Sequence, residues 1–239
     1  PNIYQLEDRT VFFIFYLSNQ EDQLKERINI IHAEDVTQKQ QQVIDSIVNS
    51  CKKWKIKLNE TKSTHVIFTN KKIERRLPIS INEVTIPCEN SAKYLGITLD
   101  AKLRWKEHVK KKRSELEQKY KQLYWLIGRK SRLSIHNKVL IYNQILKPVW
   151  VYGIQIWGCA KQSHIQSIQT FQNKVLRNIV NAPWYVRNAD IHRDLSVSHV
   201  TDVIKKSAAR HKIRLHHHVN IEAIRLVENQ NFVRRLKRT

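Results

Sequence analysis

The sequence predicts a protein of the α+β class that is mostly α. A small antiparallel sheet with a helix comes first, followed by an α-helical bundle and a basic helical tail. Two patterns indicate this order: short β-branched segments separated by turn residues occupy residues 65–99, and apolar residues recur every three or four positions from residue 102 onward. With 239 residues, 41% of them hydrophobic, the chain is long enough to bury a core.

The first helix is predicted from Thr37 to about Lys55. Thr37 and Gln40 form a capping box, and the apolar residues after them fall on one helical face. These residues are Ile44, Ile47, Val48, Cys51 and Trp54. The preceding segment gives two different signals, because residues 11–17 have the composition of a buried strand and residues 20–31 that of a short helix.

Four short β-strands are predicted after this helix. They are HVIFT at 65–69, LPISI at 77–81, EVTIP at 83–87 and KYLGITL at 93–99. The middle two are close enough to be joined by a tight turn through Asn82. Gly96 lies inside the last strand, which indicates a bulge or a close approach of another backbone.

Three helices and a basic tail are predicted from residue 102 onward. The first has a core stripe made of Trp105, Val109, Leu116, Tyr120, Leu123 and Ile127. The second begins at the cap Ser134, carries Val139, Ile145 and Leu146, and must kink or stop at Pro148. The third begins at Ser163, with Gln166 completing a capping box, and ends at Ala182-Pro183; its inward residues are Ile165, Ile168, Val175, Leu176 and Ile179. Helical spacing continues in the tail from Lys205 through Leu226.

The charge of the chain predicts a polyanionic partner. Forty-three Lys and Arg residues against 21 acidic residues give a net charge of +22, and nucleic acid is the expected partner because phosphate neutralisation supplies affinity without sequence preference. The longest apolar run, Val11–Leu17, is too short to cross a bilayer. Three widely spaced cysteines indicate neither a disulfide framework nor a zinc site. We therefore expect an intracellular protein of the nucleus or cytoplasm, without a membrane partner.

Two other classes of site are not indicated by the sequence. His216, His217 and His218 are consecutive, so their side chains would fan around a helix instead of converging on one metal ion. The serine, histidine and aspartate residues show no nucleophile signature such as GxSxG. The chain begins at Pro1 and contains no methionine, and we interpret it as a piece of a longer reading frame.

Four sequence blocks resemble, in order and spacing, the C-terminal part of reverse transcriptases from jockey-like non-LTR retrotransposons. The blocks are KYLGITLDAKLRWKEHV at 93–109, LIGRKSRLS at 126–134, KPVWVYGIQIWG at 147–158 and NAPWYVRNADIHRDL at 181–195. The resemblance extends from about Thr37 to the C-terminus. It implies a degenerate palm segment at 1–36, the C-terminal palm with a primer-grip-like hairpin at 37–101, a helical thumb-like region at 102–183 and a basic post-thumb tail at 184–239.

The resemblance also implies a function. The family enzyme is an RNA-directed DNA polymerase, a nucleotidyltransferase that copies the RNA of a mobile element using Mg²⁺. This chain would be a fragment of such an enzyme that binds an RNA and DNA template-primer duplex but is inactive by itself, because the N-terminal polymerase part is missing. The alternative is a non-enzymatic nucleic-acid-binding remnant with a basic helical surface. No cofactor is expected for this chain alone.

Carboxylate pairs are the candidate catalytic residues, since reverse transcription needs two Mg²⁺ ions held by carboxylates. The family places one pair in an aromatic-Ala-Asp-Asp turn. Glu7-Asp8 and Glu34-Asp35 are the acidic pairs before the first firm helix, although neither lies in the family tetrad, and Glu34-Asp35 is better explained by the positive end of that helix. Lys62 matches the family lysine near the incoming nucleotide, or is a solvated lysine at a strand start.

Nucleic-acid contacts are predicted at three places by the resemblance. The primer-grip position is Tyr94, Leu95 and Gly96, with sheet-core packing of the first two as the alternative. The thumb-like helix and its end supply Lys110, Lys111, Lys112, Arg113, Arg129, Lys130 and Arg132 for phosphate contacts. In the block Trp184, Tyr185 and Arg187, we expect the aromatic rings to pack on the thumb, with base stacking as the alternative.

Overall fold

The computed structural model describes residues 33–55, 58–60, 63–66 and 78–217. These residues form two compact units, the first ending at Leu103 and the second beginning at Arg104. The signals at residues 11–17 and 20–31 lie outside the described residues, as do most of the predicted strand at 65–69 and the tail after His217. The described part is mostly helical, with two small antiparallel sheets, as the sequence predicts.

The first unit contains one helix and two hairpins. Its elements are α1 (Ala33–Lys53), β1 (Ile79–Ile81), β2 (Val84–Ile86), β3 (Ser91–Tyr94) and β4 (Ile97–Asp100). The second unit contains α2 (Lys106–Ile127), α3 (Ile135–Ile141), a π turn (Tyr142–Leu146), α4 (Lys147–Val151), α5 (Ile154–Trp157), α6 (Gln162–Ile179), α7 (Asn188–Asp194) and α8 (Val200–His216). No helix within the described ranges is long and apolar enough to cross a membrane.

Helix α1 begins four residues earlier than the sequence predicts. Thr37 therefore lies inside the helix, and the predicted capping box is wrong. Glu34 and Asp35 extend the helix because acidic residues in a first turn are stabilised by the helix dipole. At the other end, Trp54 follows the helix and is 64% exposed, so it does not continue the predicted apolar face.

A small core joins α1 to the first hairpin. The buried residues of this core are Ile44, Val48, Leu58, Ile79, Ile81 and Ile86, with Cys51 packed against them. The amide of Gln41 donates to the Ser80 carbonyl at 2.9 Å and accepts from the Ser80 backbone N–H at 3.1 Å. Because this side chain makes both bonds that a neighbouring strand would make, it fixes the helix on the edge of β1.

Each hairpin closes through two residues with positive φ. Asn82 and Glu83 join β1 to β2 with φ values of 48° and 68°, and Leu95 and Gly96 join β3 to β4 with 44° and 76°. The prediction of one bulged strand at 93–99 is therefore wrong, since that segment is the second half of a hairpin. Two positive φ values match the twist of antiparallel strands, and glycine adopts them without steric cost.

Helix α2 buries the stripe that its periodicity predicts. Val109, Leu116, Tyr120 and Ile127 are buried, and Leu123 is half-buried. Trp105 is buried as well but lies just before the helix, in a left-handed conformation with φ of 63°. The indole makes an edge contact with His108 at a ring separation of 6.5 Å, which brings that histidine into the core.

The predicted kink at Pro148 is a π turn placed before the proline. Ser134 caps α3 as predicted, since its hydroxyl accepts from the Asn137 N–H at 3.3 Å. The chain then widens over Tyr142–Leu146, and the Lys147 N–H donates to the Tyr142 carbonyl five residues back. This wider turn accommodates a proline whose ring would crowd the carbonyl of an ordinary preceding turn. Helix α4 continues to Val151.

Helix α6 supplies the centre of the second unit. Its five predicted inward residues are all buried, together with Phe171, Gln169 and Gln172. The helix begins at Gln162, so Ser163 lies in its first turn and the predicted capping box is wrong; Lys161 is the N-cap residue and makes no side-chain cap. The helix ends at Ile179, three residues before Ala182, where Asn181 adopts φ of 51°.

A buried polar network joins α6 to α7 and α8. Gln169 donates to the side chains of Gln172 and Asn173 and accepts from the Val200 N–H at 2.8 Å, which satisfies an open donor at the start of α8. Gln172 donates to the Ser198 carbonyl at 3.0 Å. His192 lies 2.7 Å from the Val197 carbonyl, and burial is the main cause that lowers its pKa. The network fixes the two C-terminal helices on α6.

We predict that Gln169→Leu destabilises the second unit by about 1–3 kcal/mol, because the buried Val200 N–H and its neighbours lose their partner. Gln166→Leu is the matched control, since Gln166 is exposed one turn earlier on the same helix. Urea unfolding followed by circular dichroism measures both. Equal stability of the two variants would contradict the role given to the network.

Candidate nucleic-acid interface

The outward face of α2 is basic and contains no carboxylate. From Lys110 onward, the exposed residues of this helix are Lys110, Lys111, Ser114, Gln118, Lys121, Gln122, Tyr124 and Trp125. None of these eight is acidic, and we call them the outer face of α2. Lys110 and Lys121 are eleven residues apart, or three helical turns, so they lie on the same side about 16 Å apart along the axis.

The structure separates the four consecutive basic residues of α2. Lys110 and Lys111 are exposed, whereas Lys112 and Arg113 flank the core because each residue is rotated by about 100° from the one before. The Lys112 ammonium pairs with Glu115 at 3.1 Å and lies 5.8 Å from the Tyr152 ring. Two of the four predicted contacts therefore stand on the outer face, and the other two support the packing.

Arg113 connects α2 to α6. Its guanidinium pairs with Glu117 at 2.6 Å, donates from Nε to the Ser167 carbonyl at 3.2 Å and stacks 4.6 Å from the Phe171 ring. Such a planar, fully charged group is well suited to several contacts at once. These contacts hold the side chain beside the neighbouring helix, so it stabilises the fold instead of presenting its charge outward.

Ion pairs draw the carboxylates of α2 toward its flanks. Glu115 lies between Lys112 and Lys119, and Glu117 lies between Arg113 and Lys174 of α6. Burial opposes the ionisation of Glu117, but the hydrogen bond and charge of Arg113 outweigh it, so the pKa of Glu117 is lowered. Since both acids are neutralised by cations beside the core, the positive charge of the outer face is left without a nearby acidic partner on that face.

The turn after α2 adds further positive charge. Arg129, Lys130 and Arg132 are exposed, and Arg129 donates from Nε to the Asn178 side chain at 3.1 Å. Lys138 is different, since its buried ammonium donates to the Gly128 carbonyl at 3.2 Å and helps to end α2. The three predicted residues are thus available at the surface, and Lys138 belongs to the core.

Trp184 and Tyr185 do not pack on the helices. Trp184 is 89% exposed and Tyr185 is 69% exposed, so the expected packing against the thumb-like region is wrong. The two rings contact each other edge to face, with centroids 5.9 Å apart and an interplanar angle of 81°. Arg187 follows them and is also exposed. The structure therefore displays two large aromatic side chains on a positively charged protein.

The hairpin turn at Tyr94–Gly96 belongs to the first unit. Tyr94 packs against the small core of Val66 and Ala92, whereas Leu95 is 69% exposed at the tip. The geometry agrees with the hairpin that the resemblance implies. Sheet-core packing applies to Tyr94 but not to Leu95, because only the former side chain turns toward the sheet core.

The candidate catalytic residues do not form a metal site in the described part. Glu34 and Asp35 are residues of the first turn of α1, not of a turn between two strands, so the backbone does not fit the carboxylate arrangement that two Mg²⁺ ions require. Glu7, Asp8 and Lys62 lie outside the described residues. Within the described ranges, no group of three or more His, Cys, Asp or Glu side chains is placed to hold a metal ion.

Comparison with known proteins identifies relatives among mobile elements. The chain is 46% identical over 171 residues to the probable RNA-directed DNA polymerase from transposon X-element of Drosophila melanogaster, which covers 71% of this chain and 18% of that protein. The chain is homologous to part of the jockey-like reverse transcriptases. It is also 36% identical over 187 residues to the RNA-directed DNA polymerase from mobile element jockey of the same species, covering 78% of this chain and 20% of that relative.

A third relative gives the same result. The probable RNA-directed DNA polymerase from transposon BS of Drosophila melanogaster is 38% identical over 199 residues, which cover 83% of this chain and 22% of the relative. The jockey-like chain thus spans about a fifth of the length of the curated relatives that it matches. No family model matches it, and no solved structure matches it.

Sequence reasoning missed two members of the outer face, Lys121 and Trp125. Lys121 lies three turns after Lys110 and is exposed, and Trp125 lies one turn further and is 73% exposed. A helical projection that starts at Lys110 finds both, because positions separated by eleven and fifteen residues return to one side. The sequence analysis followed the run of consecutive basic residues and so did not group them by face.

His108 is a buried titratable group directly behind this surface. Its ring packs between Trp105 and Trp157, with centroid separations of 6.5 and 6.1 Å. Burial lowers the pKa of His108 from 6.5 to about 4, and the charges of Lys112 and Lys111 lower it further in the same direction. The neutral imidazole is therefore the form that the folded jockey-like chain holds at neutral pH.

We predict that the unfolding free energy falls as the pH is lowered from 6.5 to about 4. The unfolded chain binds the His108 proton at the higher pKa, so protonation favours unfolding in this window, by at most about 3 kcal/mol. His108→Phe should flatten the pH dependence, whereas His136→Phe, at an exposed histidine, should not. Urea titrations at pH 7, 5.5 and 4 would measure the slopes, and equal slopes in all three proteins would contradict the prediction.

Proposed function

We propose that this chain holds the template-primer duplex in an RNA-directed DNA polymerase of a jockey-like mobile element. The outer face of α2 is the observation that carries the proposal. Three lysines stand on a face without carboxylates, and the relatives are named as RNA-directed DNA polymerases. A duplex of RNA and DNA is the ligand of this surface, and its phosphates are the groups recognised.

The spacing of the lysines suits a phosphate backbone. Lys110 and Lys121 lie about 16 Å apart along α2, which is roughly the axial rise of five nucleotides of one strand. Contacts of this kind position a duplex without reading its sequence. Arg129, Lys130 and Arg132 extend the basic surface beyond the end of the helix. A polymerase must move along any template, so recognition of the backbone suits the proposed function.

The proposal assigns roles to the segments of the chain. Residues 37–101 form the C-terminal palm, with Tyr94, Leu95 and Gly96 approaching the primer strand; residues 102–183 form the thumb-like region, and residues 184–239 form the basic tail. Lys62 keeps its place near the incoming nucleotide. Mg²⁺ serves the polymerase reaction, and its carboxylate ligands belong to the part of the enzyme that this chain does not supply. The protein acts inside the cell, in the nucleus or cytoplasm.

We predict that Lys110→Ala/Lys111→Ala weakens binding to an RNA–DNA duplex about equally for all sequences. Each lost phosphate contact should reduce the slope of log affinity against log salt by about 0.9. Lys52→Ala/Lys53→Ala is the matched control, because it removes the same charge from an exposed helical end in the first unit. Fluorescence anisotropy at several salt concentrations provides both quantities.

The outcome distinguishes a specific surface from general basicity. A loss of affinity and slope in the α2 variant alone supports the outer face as the duplex site. If the two variants lose affinity and slope equally, only the total charge of the chain matters, and the outer face has no special role.

Primer extension tests the enzymatic part of the proposal. On an RNA template with Mg²⁺ and deoxynucleotides, we expect this chain alone to bind the primer-template but not to extend it, since Glu34 and Asp35 lie in a helical turn. Extension that is abolished by Glu7→Gln/Asp8→Asn or by Glu34→Gln/Asp35→Asn would show that this assignment is wrong. An RNA template without primer serves as the background control.

A further inference from the structure

Trp184 and Tyr185 occupy the two central positions of a tight turn. The Val186 N–H donates to the Pro183 carbonyl at 3.2 Å, which closes a four-residue β-turn with the two aromatic residues at its tip. Central turn positions are usually filled by Gly, Asn, Asp, Pro or Ser. Large aromatic side chains at these positions gain no burial, since Trp184 is 89% exposed and Tyr185 is 69% exposed.

Arg177 holds both ends of this turn. From its position on α6, its guanidinium donates to the Pro183 carbonyl at 2.9 Å, to the Val186 carbonyl and, through Nε, to the Asn188 side chain at 2.9 Å. One planar group therefore fixes the residues before, within and after the turn. The aromatic pair is displayed on a fixed support, so little backbone entropy is lost when a ligand binds.

The charge around the turn favours an anionic ligand. Between Lys174 and Arg193 the sequence contains four Lys and Arg residues and one acidic residue, Asp190, which pairs with Arg193 at 2.9 Å. Arg187 lies two residues after Tyr185 and is exposed. An apolar protein partner would use the aromatic rings but not this charge. A single strand of nucleic acid uses both, because its bases stack on aromatic rings while its phosphates meet the cations.

We propose that Trp184 and Tyr185 form a stacking site for the unpaired bases of a single-stranded nucleic acid, with Arg187 contacting its phosphates. The inference rests on the proposed function, because it assumes that the chain binds nucleic acid. It differs from that function in the ligand: paired bases in a duplex are stacked on one another, so the outer face of α2 contacts phosphates, whereas the aromatic turn contacts base faces. One chain thus has separate surfaces for the duplex and for an unpaired strand.

The test compares three ligands of equal charge type. They are a thymidine oligonucleotide of about 15 nucleotides, the length of a typical single-strand site, an abasic strand of the same length, and an RNA–DNA duplex. We expect Trp184→Ala/Tyr185→Ala to lose roughly 10- to 100-fold in affinity for the thymidine strand. Its affinity for the abasic strand and the duplex should stay unchanged, because those interactions depend on phosphates.

Matched variants separate stacking from other effects. Trp54→Ala removes another exposed tryptophan, 64% exposed in the first unit, and should keep wild-type affinity for all three ligands. Trp184→Phe/Tyr185→Phe retains aromatic faces and should restore most of the affinity for the thymidine strand. The salt slope should remain at its wild-type value in both aromatic variants, because no charge is removed.

Each remaining outcome overturns a different statement. If wild type binds the duplex but the aromatic variants bind the thymidine strand as wild type does, the stacking site is wrong and the duplex function stands. If wild type binds none of the ligands, the proposed function fails first. If sedimentation shows a dimer that Trp184→Ala/Tyr185→Ala abolishes, the pair is a contact between two copies of the chain, and the inference is overturned.

Discussion

The packing of α2 against α6 determines the orientation of both proposed surfaces. A row of contacts follows this interface: Arg113 reaches the Ser167 carbonyl and the Phe171 ring, Glu117 pairs with Lys174, and the Tyr120 hydroxyl accepts from the Asn178 amide at 2.6 Å. Tyr120 and Phe171 add an edge-to-face pair at 5.9 Å. These contacts fix the rotation of α2 about its own axis, and that rotation decides which lysines face solvent. Arg177, near the end of α6, then fixes the aromatic turn.

The separation of charge on α2 is as important as the total charge. A helix with eleven basic residues in its neighbourhood and three glutamates would have a mixed surface if the glutamates were spread around it. Instead, Glu115 and Glu117 are neutralised by cations that also stabilise the packing. The same ion pairs therefore contribute to the fold and leave one face uniformly positive. A polyanion that approaches this face meets no local repulsion, and its association is faster at low ionic strength.

The sequence predicted the helical stripes well, since periodic burial is a local property. Val109, Leu116 and Tyr120 in α2 are buried as predicted, as are the five inward residues of α6. Caps and turns were predicted less well because the same residues suit more than one position: Thr37 and Ser163 are helical residues, and Leu95-Gly96 form a hairpin turn instead of a bulge. The exposure of Trp184 could not be predicted, since it depends on contacts from Arg177, seven residues earlier on another element. The buried network of Gln169 and His192 joins residues far apart in sequence and gives no local signal.

The π turn at Tyr142–Leu146 makes the length of this helix part of its structural information. A π turn contains about one residue more than an α-helical turn, so the helical segments on its two sides are out of register by that residue. Removal of one residue would restore a regular helix and rotate everything that follows by about 100°. Val149 and Trp150, which are buried in α4, would then point away from the core. An insertion or deletion in this segment therefore changes which side of the protein the following block faces, even when every remaining amino acid is the same.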